Sequence, residues 1–309
     1  MGVFVFLPLV LPLTAWPIAR LAQHLHPRVA TRLLVGVAGV MALCSTVCLG
    51  LLMVVGTAQL PGNPLPDGWS DPEVREAVPY DEVAGTVAIP ALLAVAVLCA
   101  GTLRRHVRVR RRAHRALAGL PDTQVAVLPD PEAYAYALPG GPRDRIVVTT
   151  GLLDTLRPAE RRAVFAHERA HLAGRHHRFL LLTHLAACAN PFLRPLRTAV
   201  AYTAERWADE EAARVVGDRR TVASAIGRAA LVSRAVPAPT FAGFAAPGPV
   251  PRRMAALLAP PPAPRHWPSL FTAVGAALWT AAAGVVASAM SSANSAVTMM
   301  LILHAATPL

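Results

Sequence analysis

The sequence predicts a mostly α-helical membrane protein in which three amino-terminal and one carboxy-terminal transmembrane helices flank an α+β domain. Three observations carry this prediction. The chain of 309 residues is 54% hydrophobic and only 16% charged, with a mean hydropathy of +0.43, which is unusual for a soluble protein. It contains four long apolar runs that lack charged residues. A more polar segment with strand and helix patterns separates the third run from the fourth.

Each apolar run approaches or exceeds the length needed to cross a hydrocarbon core of roughly 30 Å. The first run contains Pro8, Pro12 and Pro17, so we expect it to bend. It lacks the basic start of a signal peptide and is followed closely by another run, so we expect it to be retained. The runs cover residues 3–19, 33–56, 83–103 and 270–290.

The distribution of arginine predicts the orientation in the membrane. All 30 basic residues are arginine. Segment 20–32 carries three of them and no acid, whereas loop 57–82 carries six acids and one arginine, and the run 104–112 is strongly basic. Basic loops are retained in the cytoplasm. We therefore expect a multi-pass cell-membrane protein with an extracytoplasmic loop 57–82, both termini extracytoplasmic, and the domain after residue 103 in the cytoplasm.

The net charge of +12 and the pI near 11.1 also raise the question of nucleic-acid binding. The arginines adjoin a membrane span, no aromatic residues are interleaved, and no DNA-binding module surrounds them, so no direct nucleic-acid contact is expected. Contact of residues 104–115 with anionic lipid headgroups explains the charge better. The cysteines lie in apolar stretches without metal-ligand spacing and are expected to be free thiols: Cys44, Cys48, Cys99 and Cys188.

The motif His167-Glu168-Arg169-Ala170-His171 is typical of zinc hydrolases. On a helix, residues i and i+4 share a face, so His167 and His171 can bind one metal ion. The surroundings favour a helix, because Pro158 suits a first turn and no helix breaker occurs before Gly174. Glu168 would lie beside a water activated by the metal, and its carboxylate could accept the proton of that water. The alternative is a histidine-rich surface helix.

A catalytic zinc site needs a third protein ligand, and Glu205 is the candidate. It lies in an uninterrupted helical pattern from about residue 197 to 216, with Asp209 one turn further on. Asp209 could accept the remaining N–H of a ligand histidine and so fix its orientation. The alternative is a solvated acidic face. His176 and His177 are expected at a polar or membrane interface and not on the metal.

The segment before the motif predicts a small sheet. Runs 123–128 and 145–150 are apolar or β-branched, and 133–138 alternates, with proline and glycine between them. An edge strand beside the metal could hold the substrate as an added strand. The residues of that candidate strand are Ala133, Tyr134, Ala135, Tyr136, Ala137 and Leu138; ordinary sheet packing by the two tyrosines is the alternative. Segment 179–189 is apolar but short for a span.

The predicted organisation has four parts. Residues 1–103 form a three-helix transmembrane region, 104–235 a cytoplasmic metal-binding domain, and 236–268 a proline-rich tether with a short helix. Residues 269–309 form the last transmembrane helix and a short extracytoplasmic tail.

In motifs and topology the chain resembles the BlaR/MecR family of integral-membrane zinc metallopeptidases, which are of the gluzincin type. The resemblance implies one zinc ion per chain, with His167, His171 and Glu205 as ligands and Glu168 as catalytic base. It also implies an α+β gluzincin metallopeptidase domain between spans three and four. The motifs that carry it are Leu138-Pro139-Gly140-Gly141, Ile146-Val147-Val148 leading into Gly151-Leu152-Leu153, Arg162-Ala163-Val164-Phe165-Ala166 before His167, Arg175-His176-His177, Asn190-Pro191, and Glu205 with Ala208-Asp209.

Three function classes follow. The first is a regulatory zinc endopeptidase that cleaves a protein or peptide substrate such as a cytoplasmic transcriptional repressor. About 19 residues follow the last apolar run, so we expect no penicillin-binding sensor domain of the kind found in members that sense β-lactams. The second is a quality-control protease of membrane proteins, as in the HtpX and Ste-type enzymes. The third is a non-enzymatic membrane receptor or scaffold with a relic site.

Overall fold

The computed structural model describes residues 2–63, 65–71, 74, 76, 81–141, 143–233, 250–262 and 269–307. Among these residues, four helical segments are long and apolar enough to cross a membrane: Phe4–His24, Pro27–Ala58, Val83–Ala116 and Val274–Ala305. The chain is therefore a multi-pass membrane protein that is mostly helical, with one small sheet. Its orientation across the bilayer stays a prediction.

The first span is a succession of short helical pieces, as its three prolines predict. Each proline removes a backbone donor and restricts φ, so the regular α-helix cannot continue through all of them. The pieces are 3₁₀ turns Gly2–Phe6, Leu11–Thr14 and Ala22–His24 alternating with α1 (Leu7–Val10) and α2 (Ala15–Leu21).

The second and third spans are long helices that pack closely. They are α3 (Pro27–Ala58) and α4 (Asp81–Ala116). A methyl group on Gly56 would lie 2.3 Å from the backbone of Gly85, so only glycine allows this approach. The basic run 104–112 does not interrupt α4, because six of its nine residues are arginine, which favours the helix. The predicted boundary after residue 103 therefore lies within one continuous helix.

The predicted sheet is present, with shorter strands than the sequence patterns indicate. The strands are β1 (Val125–Leu128), β2 (Ala135–Leu138) and β3 (Arg145–Thr149). Their order is β1-β3-β2, with β1 parallel and β2 antiparallel to β3. Ala133 and Tyr134 precede β2, and residue 150 begins the next helix. The central strand β3 is buried throughout, and β2 is an edge strand.

The next five α-helices along the chain after the sheet are α5 (Thr150–Thr155), α6 (Pro158–Ala173), α7 (His176–Ala189), α8 (Arg194–Val216) and α9 (Arg219–Ser233). At the start of α6, Pro158 occupies the first turn and the Glu160 carboxylate accepts a hydrogen bond from the Arg157 N–H at 2.9 Å. Helix α8 begins three residues earlier than predicted and ends at Gly217, whose φ of 78° closes the helix. Helices α6 and α8 pack against each other.

The helices of the second half share a hydrophobic core with the first two spans. The core joins residues of α2 and α3 to residues of α7, α8 and the turn between them, including Ile18, Leu34, Met41, Leu180, Leu193, Leu196 and Val200. Two buried polar contacts add to it. Thr31 Oγ1 donates to Thr203 Oγ1 at 2.9 Å, and Asn190 Nδ2 donates to Ser45 Oγ at 3.0 Å. The apolar segment 179–189 is thus a helix packed on the second span.

The predicted tether 236–268 lies in part outside the described residues. Its short helix, α10 (Val250–Leu258), packs against α8 and α9. Leu257 is buried in a cluster with Val222 and Ala223. The last span, α11 (Ala273–Ala305), packs along α3. Helix α10 is therefore part of the folded unit that contains the motif helix.

Candidate metal centre and substrate edge

The two motif histidines and Glu205 converge on one point. Helix α6 presents His167 and His171 one turn apart, and their Nε2 atoms are 3.0 Å from each other. Glu205, on α8, lies with Oε2 3.5 Å from His167 Nε2 and Oε1 3.3 Å from His171 Nε2. The ligand atoms of all three residues lie within 4.8 Å of one another. The structure thus brings together the residues that the sequence named as metal ligands.

The donor set and its spacing fit zinc. A tetrahedral zinc ion with bonds of about 2.0–2.1 Å separates neighbouring ligand atoms by roughly 3.3 Å, close to the distances between the three side chains. Two imidazole nitrogens and one carboxylate oxygen also form a donor set of catalytic zinc sites, which keep a fourth position open. These residues would therefore hold one zinc ion.

Asp209 lies behind His167, on the side away from the ligand atoms. Its Oδ1 is 3.1 Å from His167 Nδ1, and its side chain is fully buried. A carboxylate at this position favours the tautomer that carries a proton on Nδ1, which leaves Nε2 free to bind a metal. The contact is the one that the sequence predicts for Asp209.

The electric field of the acids favours a cation at this site. Burial alone would lower the pKa of His167, but the carboxylates of Asp209 and Glu205 outweigh it and raise the pKa to about 10. Burial would likewise raise the pKa of Glu205, but Arg253 and the two histidines hold it well below its ordinary value. Glu205 is therefore ionised at neutral pH, as a metal ligand must be.

The prediction that His176 lies at a polar or membrane interface is wrong. His176 is buried at the start of α7, and its Nδ1 is 2.8 Å from Nδ1 of His171. Gly174 permits this approach, because a Cβ at that position would lie 2.4 Å from His176 Nε2. Burial lowers the pKa of His176 to about 2, so the ring is neutral and its Nδ1 can accept a hydrogen bond from the Nδ1–H of His171. His177 is partly buried beside His176.

Trp207 covers His176 on the side of the membrane helices. The ring centroids of Trp207 and His176 are 4.6 Å apart. The guanidinium groups of Arg28 and Arg32 lie over the indole at 5.5 Å and 5.4 Å from its centroid. Both arginines belong to the first two turns of the second span, so this span packs against the surroundings of a metal ligand.

Glu168 lies between the metal-binding group and the edge strand β2. Burial raises its pKa to about 7, although the backbone N–H of Ala137 donates a hydrogen bond to the carboxylate and His167 lies near it. A carboxyl group that titrates near neutral pH can accept a proton and give it up again, which is the requirement for a general base. The position of Glu168 therefore agrees with the role that the motif predicts.

The outer edge of β2 faces the site. Thr149 N–H donates to Tyr134 O at 3.2 Å, so Tyr134, and with it Tyr136 and Leu138, directs backbone groups towards β3. Ala135 and Ala137 alternate with them and direct their N–H and C=O groups away from β3. The Ala137 N–H reaches Glu168. Of the six residues predicted for the substrate strand, Ala133 and Tyr134 lie before β2. The backbone N–H and C=O groups of Ala135 and Ala137 lie on the edge of β2 that faces away from β3.

The sequence did not identify Arg253, which lies at the centre of the site. Its Nε and Nη2 donate to Asp209 Oδ2 and Oδ1 at 2.8 Å and 2.6 Å, and its Nη1 is 2.8 Å from Glu205 Oε2. The side chain is buried. Arg253 and Asp209 are 44 residues apart and lie on different helices, so no helical spacing relates them.

Comparisons with known proteins agree with a peptidase site. Residues 101–186 match the model of "Peptidase family M48". An 89-residue segment is 39% identical to a "Protease HtpX homolog" of Moorella thermoacetica, covering 28% of this chain and 29% of the relative. A 61-residue segment is 44% identical to a "Protease HtpX homolog 2" of Methanosarcina mazei, covering 19% and 21%. No solved structure matches the chain at a significant level.

The matches cover less than a third of the length of either relative. The matched family segment contains His167, Glu168 and His171, whereas Glu205 and Arg253 lie beyond it. Neither comparison supports the BlaR/MecR subtype. At the level they reach, the comparisons support a membrane protein related to the M48 zinc metallopeptidases.

Proposed function

We propose that this chain is a zinc-dependent endopeptidase embedded in the cell membrane. The observation that carries the proposal is the convergence of His167, His171 and Glu205 beside Glu168. When bound, zinc supplies Lewis acidity towards water and the scissile carbonyl. Glu168 accepts the proton of the attacking water at its carboxylate and transfers it to the nitrogen of the departing amine, so the peptide bond is exchanged for a carboxylic acid and an amine.

The substrate is an extended segment of a protein, bound along the outer edge of β2. Ala135 and Ala137 offer backbone groups that can pair with a further strand, and such pairing recognises the peptide backbone instead of a particular sequence. Glu168 lies at this edge through its contact with the Ala137 N–H. A strand added there would bring a backbone carbonyl next to the metal-binding group.

Both relatives are named as HtpX homologues, which favours the HtpX-like alternative, a quality-control protease of membrane proteins. Cleavage of a cytoplasmic repressor is the second candidate, which the order of spans and the motif resemblance to BlaR/MecR favour. A relic site without activity is the third. Placement of the active site in the cytoplasm follows from the arginine distribution and belongs to the proposal.

The first test measures metal and activity in the same samples. In the full chain purified in detergent, wild-type protein should contain one zinc ion and cleave labelled casein. Glu168→Gln should retain zinc and lose about 10²–10⁴-fold in rate, because the side chain keeps its shape but cannot accept the proton. Glu211→Gln is the matched control, since Glu211 is an exposed residue of α8 that pairs with Arg214. Zinc-loaded E168Q protein with wild-type activity would remove the proposal.

The second test identifies the substrate class in cells. The membrane and soluble proteomes of cells carrying either the native chain or E168Q are compared. A membrane protein that accumulates only with the variant indicates quality control, whereas accumulation of a soluble repressor indicates regulation. Absence of zinc from the purified wild-type chain would support the relic site.

A further inference from the structure

Two neighbouring arginines of helix α10 make contacts in different directions. Arg252 lies over the ring of Tyr202, 4.6 Å from its centroid, and donates to Gln23 at the end of the first span. Arg253 points the other way and is buried between Asp209 and Glu205. The pair offers a residue to test and a control on the same helix.

The guanidinium of Arg253 is shared between the two acids of α8. It binds Asp209 with two parallel hydrogen bonds, and its third nitrogen contacts Glu205 Oε2. These contacts use the rigid fork of arginine, which fits a carboxylate at two points. Arg253 thereby fixes the plane of the Asp209 carboxylate and the rotation of the Glu205 carboxylate.

Both fixed carboxylates act directly on the metal-binding group. Asp209 Oδ1, which Arg253 binds, is also the atom nearest His167 Nδ1 at 3.1 Å. Glu205 directs Oε1 to His171 Nε2 at 3.3 Å while Arg253 contacts the other oxygen. A single side chain therefore restrains one candidate ligand and the acid that orients another.

We propose that Arg253 is a positioning residue of the metal centre, which holds Glu205 and Asp209 in the arrangement that binds the metal. The inference rests on the proposed function and adds a residue from outside the motif helices. It also gives α10 a role, because the centre is complete only when this helix is docked.

Helix α10 has attachments that do not depend on Arg253. Arg219 donates to the carbonyl groups of Ala256 and Leu257 at 3.0 Å and 2.8 Å, and it also pairs with Glu210. Leu257 is buried against α9. Substitution of Arg253 should therefore leave α10 docked, which allows its effect on the metal centre to be measured.

The test measures zinc affinity of the full chain in detergent by competition with a chelator. Arg253→Met and Arg253→Lys should each lose about 10–100-fold in zinc affinity, the usual effect of removing an outer partner of a metal ligand. Lysine keeps the charge but cannot form the fork. Arg252→Met should bind zinc like the wild type.

If Arg253 acted only by balancing charge, its removal would change the zinc affinity in the opposite direction. Removal of a cation beside a ligand would strengthen the attraction for a divalent ion, so R253M would bind zinc as tightly as the wild type or more tightly, and R253K would resemble the wild type. Either result overturns the inference. The visible absorption of the cobalt(II)-loaded protein provides a second readout, because it reports the ligand geometry. It should change in R253K and stay constant in R252M.

The outcomes separate this inference from the proposed function. Failure of the wild-type chain to bind zinc removes the proposed function. Tight binding by the wild type together with unchanged binding and an unchanged cobalt spectrum in R253K removes only the role of Arg253. If R253M does not fold, as judged by its thermal unfolding, R253K decides alone.

Discussion

Glu160 shows at the level of one residue how the motif helix is held in place. Its carboxylate accepts from the Arg157 N–H at 2.9 Å and from Ser224 Oγ at 2.7 Å, and it pairs with Arg228 at 3.2 Å. The residue therefore begins α6 and joins it to α9. Burial would raise the pKa of Glu160, but these donors outweigh it and lower the pKa below its ordinary value of 4.5.

Glu160→Gln should lower the free energy of unfolding by about 1–3 kcal/mol at neutral pH, because the buried charged hydrogen bonds are lost. A carboxyl group whose pKa is lower in the folded state stabilises the fold above its unfolded pKa, and this contribution disappears as the pH falls through the folded pKa. The difference between wild type and E160Q should thus be complete above about pH 5.5 and shrink below 4.5.

Thermal unfolding in detergent across this pH range checks the prediction. Glu211→Gln, at an exposed ion pair, should change stability little at any pH. A difference between wild type and E160Q that stays constant down to pH 3 would contradict the role of the Glu160 charge.

The sequence predicts the residues of the site that follow helical spacing and leaves out those that depend on tertiary contacts. The i, i+4 spacing places His167 with His171, and Glu205 with Asp209, on one helical face. The choice of Glu205 as a ligand rests on the need for a third donor and on the motif resemblance. Arg253 and His176 approach the site from other helices, and no local period encodes such a contact. For His176 the signal is the glycine two residues before it, Gly174, which permits the approach of the ring.

At the level of elements, the edge strand β2 is the proposed binding site of a substrate. Its free edge is formed by only two residues, Ala135 and Ala137, and the second already donates its N–H to Glu168. Ala135 is therefore the position at which an outward N–H can be removed without disturbing the pairing of β2 with β3.

Ala135→Pro should reduce kcat/KM by about tenfold, since one backbone hydrogen bond to the substrate, of about 1–1.5 kcal/mol, is removed. Zinc content should stay unchanged, because Ala135 is not a candidate ligand. Ala135→Ser keeps the N–H and serves as the matched variant, with activity close to the wild type. Equal loss in both variants would point to side-chain packing and against an added strand.

The elements themselves were predictable to different degrees. The four spans follow from long continuous apolar runs, and helices α6 and α8 follow from long helical patterns. Local sequence specifies both kinds of element well. The strands were predicted too long, because β propensity depends on the pairing partners. The sequence predicts the end of α6 at Gly174, as found, but the left-handed residue of the turn to α7 is Arg175, with φ of 51°. Gly174 is required instead by the approach of His176.

At the scale of the whole molecule, the orientation prediction rests on charge alone and can be tested directly. Asp71→Cys, in the acidic loop, should react with a membrane-impermeant maleimide on intact cells. Arg115→Cys, at the end of α4, should react only after the membrane is permeabilised. Both positions are exposed. Labelling of the wild-type chain, whose cysteines are buried or partly buried, gives the background, and the reverse pattern would place the metal centre outside the cell.

The core that α2 and α3 share with α7 and α8 has a practical consequence for any attempt to study the half that contains the candidate metal centre in isolation. A fragment that begins after the third span and ends before the fourth would present Leu180, Leu193, Leu196 and Val200 to water where Ile18, Leu34 and Met41 now cover them. Such a truncated piece would aggregate or require surfactant even without a single membrane-crossing segment. In this molecule, the side chains that join the first two spans to α7 and α8 also support the candidate metal centre.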